Sequence, residues 1–286
     1  MQKTGWLIVN GNLQTEKFKN LYTLLQNSAK KRGISLLLKR NDELIFPVGA
    51  RIDLPDFGIF WDKDISLARR LESLGLRLFN RRSAVEICDD KILTSEFLAK
   101  ASVPTPTTII APKTFEGVGF IGYAFLDRAE KEIGYPMVIK EANGSFGAQV
   151  YLAETRLQAE EIVKKIGFKP FLMQKFIAES RGRDIRVNIV GGKVICAMLR
   201  HNPDDFRSNI SGGGTGERIT LTDEQETIAL QACQAVGAEF AGVDLLFGKE
   251  SPLVCEINSN PQFQSTLDYT GVDLAEYIME YIKERI

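Results

Sequence analysis

Three oxygen-bearing residues near the carboxyl end, Asp244, Glu256 and Asn258, are the side chains of this sequence best suited to hold a metal ion. Asp244 stands alone among apolar neighbours in Gly242-Val243-Asp244-Leu245-Leu246, and Glu256 and Asn258 lie two apart in Val254-Cys255-Glu256-Ile257-Asn258. Residues two apart share one face of a strand. Turn-forming residues separate the two runs, Gly248-Lys249-Glu250-Ser251-Pro252, and a hairpin there would set the three oxygens side by side. Carboxylate and amide oxygens suit hard divalent cations, and Mg²⁺ commonly takes one or two carboxylates together with substrate phosphates. The trio therefore asks for a phosphate site elsewhere in the chain.

One segment has the right chemistry. Residues 135–140 read as a strand ending in Lys140, and Glu141-Ala142-Asn143-Gly144-Ser145-Phe146-Gly147-Ala148 follows at once. Glycines let backbone N–H groups approach an anion closely, and a lysine at the strand end neutralises phosphate charge. No Gly-Lys-Ser/Thr opens a helix, so this is not a Walker loop. Taken by itself, Gly-Ser-Phe-Gly between two strands suits an ordinary hairpin loop equally well. Other chemistries are poorly supplied. His201 is the one histidine, which excludes a multi-histidine metal site; it suits a catalytic base or a loop residue without special role. Cys88, Cys196, Cys233 and Cys255 are widely spaced with no CxxC pair, so neither a disulfide framework nor a zinc site is expected, and a cytoplasmic, reducing location is.

The elements that must position these residues alternate between strand and helix. The chain has 286 residues and is 44% apolar, enough for one large domain or two to three smaller ones with buried cores. No apolar run reaches the length of a membrane span, and the opening residues lack a signal-peptide core. The net charge of −1 supplies no global field toward nucleic acid or membrane. Residues 28–82 carry twelve Lys/Arg against seven Asp/Glu, which suits either solvated helix faces or an entry surface for an acidic substrate. Strands are expected at 6–10, 34–39, 57–61 and 77–80, with helices at 18–32 and 66–74, the pattern of a parallel α/β layer. No dinucleotide fingerprint follows the first strand. A helix is expected over 83–101 with Asp89, Asp90 and Lys91 near its middle, and Pro104 and Pro106 then break the chain. Beyond it come a helix at 126–133, strands at 135–141 and 149–153, a helix at 157–166, and a strand at 171–177. A hairpin at 184–190 and 193–199 turns on Gly191-Gly192. A polar loop over 201–216, a helix at 223–236, the opening strand pair and a last helix at 274–285 complete the chain.

The ordered set says more than any one motif. Asp90-Lys91 is followed by Val103-Pro104-Thr105-Pro106-Thr107, then by Val138-Ile139-Lys140 with its glycine loop. Met173-Gln174-Lys175-Phe176-Ile177 and Gly182-Arg183-Asp184-Ile185-Arg186 come next. Phe206-Arg207-Ser208-Asn209, Gly212-Gly213-Gly214 and finally Asp244, Glu256 and Asn258 close the series. This resembles the ATP-grasp superfamily, and within it the RimK-like carboxylate–amine ligases, the alpha-L-glutamate ligase family, over residues 83–285. The resemblance implies an α/β (α+β grasp) fold: an N-terminal parallel α/β pre-ATP-grasp domain (1–85), then a two-subdomain ATP-grasp fold, subdomain A (86–170) and subdomain B with the metal site (171–286). It also implies roles. Lys91 and Lys140 contact the nucleotide phosphates, and the loop with Gly144 and Ser145 covers them. Gln174, Lys175, Phe176 and Ile177 form the hinge that binds adenine, and Asp184 is acidic in the nucleotide site. Arg207, Ser208 and Asn209 close over triphosphate and acceptor, and Asp244, Glu256 and Asn258 hold Mg²⁺ or Mn²⁺.

Joining a carboxylate to an amine requires the carboxylate oxygen to become a leaving group, which ATP achieves by forming an acyl phosphate. Such chemistry rests on cations and oriented N–H groups. Arg200 and Arg207 are the candidates to stabilise the tetrahedral oxyanion, and a water-excluding loop protects the acyl phosphate. Asp184 and Arg186, two apart on one strand, are alternatively a structural ion pair, and Gly212–Gly214 a plain linker. Asn260 is a substrate contact, a second metal ligand or a turn residue. The sequence departs from the family pattern where the acceptor should bind. Ser259-Asn260-Pro261-Gln262-Phe263 replaces a small Ser/Ala-Ser-Pro-Gly run, Ser211-Gly212-Gly213-Gly214 replaces His-Arg-Gly-Gly, and Lys175 stands where a hinge glutamate is usual. The first two put protein-tail glutamylation in doubt and leave the ATP chemistry intact. The expectation is thus an ATP- and Mg²⁺-dependent ligase adding glutamate or another amino acid to a peptide, metabolite or cofactor acceptor. A D-alanine-type ligase and a non-catalytic ATP-binding regulator are the alternatives. Its partners are an amino acid and an acceptor, not nucleic acid or membrane. The oligomeric state is left open, a homo-oligomer included.

Overall fold

The structure is a computed structural model that describes residues 2–145 and 147–286. Phe146 of the Gly-Ser-Phe-Gly run and the side chain of Ser211 lie outside the described residues.

Short apolar strands open the chain: β1 (Thr4–Val9), β2 (Ser35–Arg40), β3 (Phe57–Trp61) and β4 (Leu78–Phe79). They pair in parallel in the order β2-β1-β3-β4. Parallel neighbours need crossover connections, which α1 (Glu16–Lys31) and α2 (Ile65–Ser73) supply. The stripe Leu21, Leu25 and Ala29 of α1 is buried as its spacing predicts. Asp64 caps α2 by accepting from the Leu67 amide at 2.9 Å.

The single helix expected over 83–101 is two. α3 (Arg82–Asp89) ends and α4 (Lys91–Lys100) begins at Asp90, which has extended backbone angles. Its carboxylate accepts from the amides of Ile92 and Leu93 at 2.8 and 3.3 Å. An aspartate that caps two orphan amides competes with helix continuation, and the apolar periodicity on either side conceals the break. Lys91 becomes a first-turn residue rather than a mid-helix one.

Two antiparallel sheets follow. β5 (Thr108–Ile110), β6 (Met137–Glu141), β7 (Val150–Ala153) and β8 (Phe171–Lys175) are ordered β5-β8-β6-β7. α5 (Ala124–Ile133) and α6 (Arg156–Ile166) cover them over a core that includes Met137, Ile139, Phe171 and Met173. The amide of Lys91 donates to the Ala142 carbonyl just beyond β6 at 2.9 Å, so α4 starts against this sheet. The second sheet comprises β9 (Arg183–Val190), β10 (Lys193–His201), β11 (Thr215–Ile219), β12 (Phe240–Phe247) and β13 (Pro252–Asn258), in the order β11-β10-β9-β12-β13. α7 (Asp223–Ala235) packs on it through Ile228, Ala229 and Ala232. The hairpin expected on Gly191-Gly192 forms. The polar stretch expected over 201–216 is shorter, because β10 runs to His201 and β11 starts at Thr215.

α8 (Gln264–Thr270) and α9 (Leu274–Lys283) bring the chain back to its start. Ile278 and Ile282 share a core with Leu21, Leu25 and Phe57. Arg32, largely buried, bonds Glu276 and Glu280, each at 2.7 Å. Several cations in the basic stretch 28–82 are committed in this way: Arg77 pairs with Glu239, Arg82 with Glu86, and Lys63 with Asp89. Among the described residues no helix is long and apolar enough to cross a membrane.

Candidate active site

A cleft between the two antiparallel sheets gathers most of the residues singled out from sequence. Lys91, Lys140, Gly144, Ser145, Gln174 to Ile177, Asp184, Arg200, Arg207 to Asn209, Asp244 and Glu256 all line it. Asn258 and Asn260 line a second cavity on the other side of Glu256.

Lys140 is held by its strand. β6 pairs with β7 on one side and β8 on the other, and the side chain, 7% exposed, carries Nζ to 3.6 Å from Cys255 Sγ. The segment 174–177 is fixed by β5, which sequence patterning missed because it is three residues long and half-exposed. Gln174 Nε2 donates to Thr108 Oγ1 at 2.9 Å, and the Lys175 amide donates to the Thr107 carbonyl at 2.9 Å. The Lys175 side chain is exposed, while Phe176 and Ile177 face the cleft.

The floor is a chain of alternating charges made by sheet register. Asp184 lies opposite Arg200, and Asp244 opposite Arg186. Arg200 Nε donates to Asp184 Oδ1 at 2.7 Å and its Nη2 reaches Asp244 Oδ2 at 2.9 Å. Arg186 binds Asp244 through Nε and through Nη2, the latter at 2.9 Å. All four residues are buried. Asp184 and Arg186 therefore do not pair with each other, as spacing alone allowed; each reaches across to a facing strand, where opposed residues are close enough for bidentate contact. Burial pushes the Asp244 carboxyl up, but the Arg186 and Arg200 guanidinia outweigh it and hold it below the usual carboxylate range. Burial likewise works against the charge on Arg200, and Asp244 and Asp184 more than offset it.

The hairpin of β12 and β13 forms in the register the trio needs. Asp244 faces Glu256 and Gly242 faces Asn258, with an irregularity after Asp244. Glu256 has no hydrogen-bond or ion-pair partner among the described residues. Asn258 donates Nδ2 to the Gly242 carbonyl at 3.4 Å, which leaves its Oδ1 to face a ligand. The fit to a hard cation is therefore good at Glu256 and Asn258. Asp244 contributes charge that two guanidinia already share. No group of three or more His, Cys, Asp and Glu is clustered for a metal among the described residues, so a three-residue site here depends on the asparagine amide.

Two loops meet above this floor. The Ser145 amide donates to Gln149 Oε1 at 3.1 Å, and Lys63 Nζ donates to Ser145 Oγ at 3.1 Å. Arg207 donates Nη1 to the Gly147 carbonyl at 2.6 Å while Nε and Nη2 bind Asp205 at 3.0 and 2.7 Å. Arg207 is thus a clasp between the two loops, its charge strengthened first by the Asp205 hydrogen bonds. Gly182 anchors the loop that carries it. The Gly182 amide donates to the Phe206 carbonyl at 2.9 Å, its φ is +68°, and a Cβ there would sit 2.3 Å from the Asn202 carbonyl oxygen. We expect Gly182→Ala to cost roughly 2 kcal/mol or more through backbone overlap and left-handed strain. A thermal melt of the purified variant checks it, and an unchanged Tm would contradict the tight approach.

The second cavity, about 300 Å³, is walled by the amino-terminal sheet. Asn10 beyond β1 and Trp61, Asp62 and Lys63 at the end of β3 face Arg186, Asn258 and Asn260 across it. Asp62 Oδ1 accepts from Asn10 Nδ2 at 3.1 Å and from the Lys63 amide at 2.7 Å. Burial pushes its carboxyl above the usual range. Burial, and then the Asp62 charge, push the buried Tyr22 phenol up to about 12. Sequence reasoning did not single out Asp62, Lys63 or Asn10. Their signal was position: ligands of open α/β sheets bind beyond the carboxyl ends of strands, and Trp61-Asp62-Lys63-Asp64 and Asn10-Gly11-Asn12 stand there. Both cavities share one wall, formed by Gly144, Ser145, Gly147, Arg200, Asn209 and Glu256.

Residues 88–282 match the family described as the RimK-like ATP-grasp domain. The chain belongs to that family. Human N-acetylaspartylglutamate synthase A is 36% identical over 261 residues, which cover 88% of this chain and 65% of the human protein. A Shewanella frigidimarina (strain NCIMB 400) protein named "Probable alpha-L-glutamate ligase 1" is 36% identical over 77% of this chain and 72% of its own length. The chain thus spans about two thirds of the human synthase. The RimK domain ATP-grasp protein of Sphaerobacter thermophilus DSM 20745 superposes with a TM-score of 0.74 at 21% identity, covering 98% of both chains. The ATP complex of Bacillus anthracis D-alanine–D-alanine ligase gives 0.74 at 18% identity, over 99% of this chain and 97% of its own. These likenesses show the RimK-like ATP-grasp fold, with a parallel sheet preceding two antiparallel ones.

Proposed function

We propose that the protein is an ATP-dependent carboxylate–amine ligase that couples an amino acid, glutamate or a close analogue, to a carboxylate-bearing acceptor. The observation that carries this is the shared wall. A cleft with two lysines and a second cavity with its own polar lining meet at the glycine loop and Glu256. That is the arrangement in which a phosphoryl group can pass from one ligand to another.

The residues divide the work. Adenine lies against Phe176 and Ile177 with hinge backbone beside it, and Lys91 and Lys140 offset the phosphate charge. Glu256 and Asn258, with Asp244 sharing charge, are the residues that would hold Mg²⁺ or Mn²⁺, which neutralises phosphate charge during transfer. A carboxylate oxygen at the shared wall attacks the γ-phosphorus, and the bond to the β,γ-bridging oxygen breaks to release ADP. The amine nitrogen then attacks the acyl carbon, phosphate departs with the bonding pair, and the nitrogen loses a proton. The tetrahedral oxyanion needs a cation at that wall, and Arg200 already reaches it. Arg207 serves by closing the loops, which keeps water from the acyl phosphate. Asn260, Asp62 and Lys63 face the second substrate.

The test is an ADP-release screen with Mg-ATP and amino acids, alone and paired with di- and tricarboxylate or peptide acceptors. We expect release only when an amine and a carboxylate are both present, greatest with glutamate. ATP binding without stimulated release by any pair would overturn the reading in favour of a non-catalytic nucleotide binder. Release that needs D-alanine alone would move the protein to the D-alanine type.

A further inference from the structure

Asp62 is an unusual anion for its position. It is 5% exposed at the end of β3 on the wall of the second cavity. Its Oδ1 is satisfied by Asn10 and the Lys63 amide, but Oδ2 is buried without a hydrogen-bond partner. No cation pairs with it among the described residues, because the neighbouring Lys63 ammonium turns away to Asp89 and Ser145. Asn260 is tied to the same spot: its Nδ2 donates to the Asp62 carbonyl at 2.9 Å, and its Oδ1 is also buried without a partner.

Two acceptors without donors, one of them charged, on residues joined by that bond are costly to bury. No described residue donates to either, although the buried Tyr22 hydroxyl, itself without a partner, lies near enough to Asp62 to feel its charge, and native buried polar groups are nearly always paired. The missing piece must bring several N–H donors and a positive charge. A primary ammonium has three donors and no acceptor. A hydroxyl brings one donor and no charge, and a carboxylate would be repelled. We propose that Asp62 and Asn260 form the capture site for the amine substrate, holding it as an ammonium that gives up one proton to solvent before its nitrogen attacks and a second after the C–N bond forms, and restricting the nucleophile to primary amines. This rests on the ligase reading above. It also accounts for Asn260, which replaces the usual small residue after the metal asparagine. Asn260 joins the metal hairpin to the amino-terminal sheet at the point where the amine waits.

The experiment compares wild type, Asp62→Asn and Asn260→Ala in steady-state ADP release, using L-glutamate as the amine, with thermal melts and calorimetric titration of glutamate. Asp62→Asn keeps the shape and removes the charge. We expect its amine KM and Kd to rise about 10- to 150-fold, the range of a charge-assisted hydrogen bond. The KM values for ATP and for the carboxylate should stay within about twofold. Asn260→Ala should shift the same two constants by a smaller factor, on the order of fivefold. An analogue with hydroxyl in place of the ammonium should bind wild type weakly and lose nothing further in Asp62→Asn. Unchanged amine constants in both variants would overturn the assignment. So would equal rises in all three KM values with a fallen Tm, the mark of a structural residue, or the same rise for amine and hydroxyl analogue. Wild type that shows no amine-dependent release overturns the ligase reading itself, a distinct outcome.

Discussion

Glu256→Gln should slow ADP release on the order of 10³-fold and leave the protein folded. The glutamate stands on β13 opposite Asp244, on the wall common to both cavities, and has no partner among the described residues. An unpartnered carboxylate at such a place contributes little to stability, so its amide isostere should melt within a degree or two of wild type. Its contribution to turnover is another matter. Loss of a metal-holding charge removes several kcal/mol of transition-state stabilisation. At about 1.4 kcal/mol per tenfold change, kcat should fall on the order of 10³-fold. Stopped-time ADP assays across a Mg²⁺ titration, alongside the melt, measure both halves. Raising Mg²⁺ should recover part of the rate if affinity is the defect. Full activity at ordinary Mg²⁺ would remove Glu256 from the site and with it the metal reading of the hairpin.

What could be read in advance follows from the range over which each signal acts. The β12–β13 hairpin was legible because it is local: alternation along the two strands sets the facing of Glu256 and Asn258, and glycine and proline between them supply the turn. Lys140 was legible for the same reason, as the charged end of an apolar strand with a glycine loop after it. Asp90 was misplaced because its capping of Ile92 and Leu93 competes with a periodicity that continues on both sides. The pairing of Asp184 with Arg200 rather than Arg186 depends on the register of β9 against β10, which no spacing within one strand encodes. The second cavity was invisible for a further reason. Its walls come from residues about 200 positions apart, as in the bond from Asn260 to Asp62, and only the folding of the last helices back onto the first sheet brings them together. The first cleft is therefore written in ordered motifs, and the second cavity is written in tertiary contacts.

Arg200 is where these two cavities depend on the same side chain, and Arg200→Met should be the most destabilising single change in the site. Its guanidinium lies between Asp184 and Asp244, all three buried. Methionine retains the apolar stem and leaves Asp184 with no cation and Asp244 with Arg186 alone. Removing one partner from a buried ion network costs about 3–5 kcal/mol, because the remaining charge is left desolvated. For a chain of this size that corresponds to a fall in Tm on the order of 10 °C. The pH dependence has a definite sign. Asp244 in wild type is held below the usual carboxylate range, so its contribution is fully present above the unfolded carboxylate value near ~3.9 and fades as pH falls through the lower folded value. In Arg200→Met the carboxylate at position 244 keeps Arg186 alone, so less of that contribution remains to be lost. The gap in Tm between variant and wild type should be widest near neutrality and narrow as pH falls below about 4. Asp184→Asn in the Arg200→Met background should recover a kcal/mol or more, about the desolvation cost of the orphaned charge. Melts of wild type and the two variants at two pH values decide the matter. A neutral-pH Tm for Arg200→Met equal to wild type would mean that the alternating charges are not what holds the floor of the site, and that the positions of Asp244 and the β12–β13 hairpin are set by backbone pairing alone.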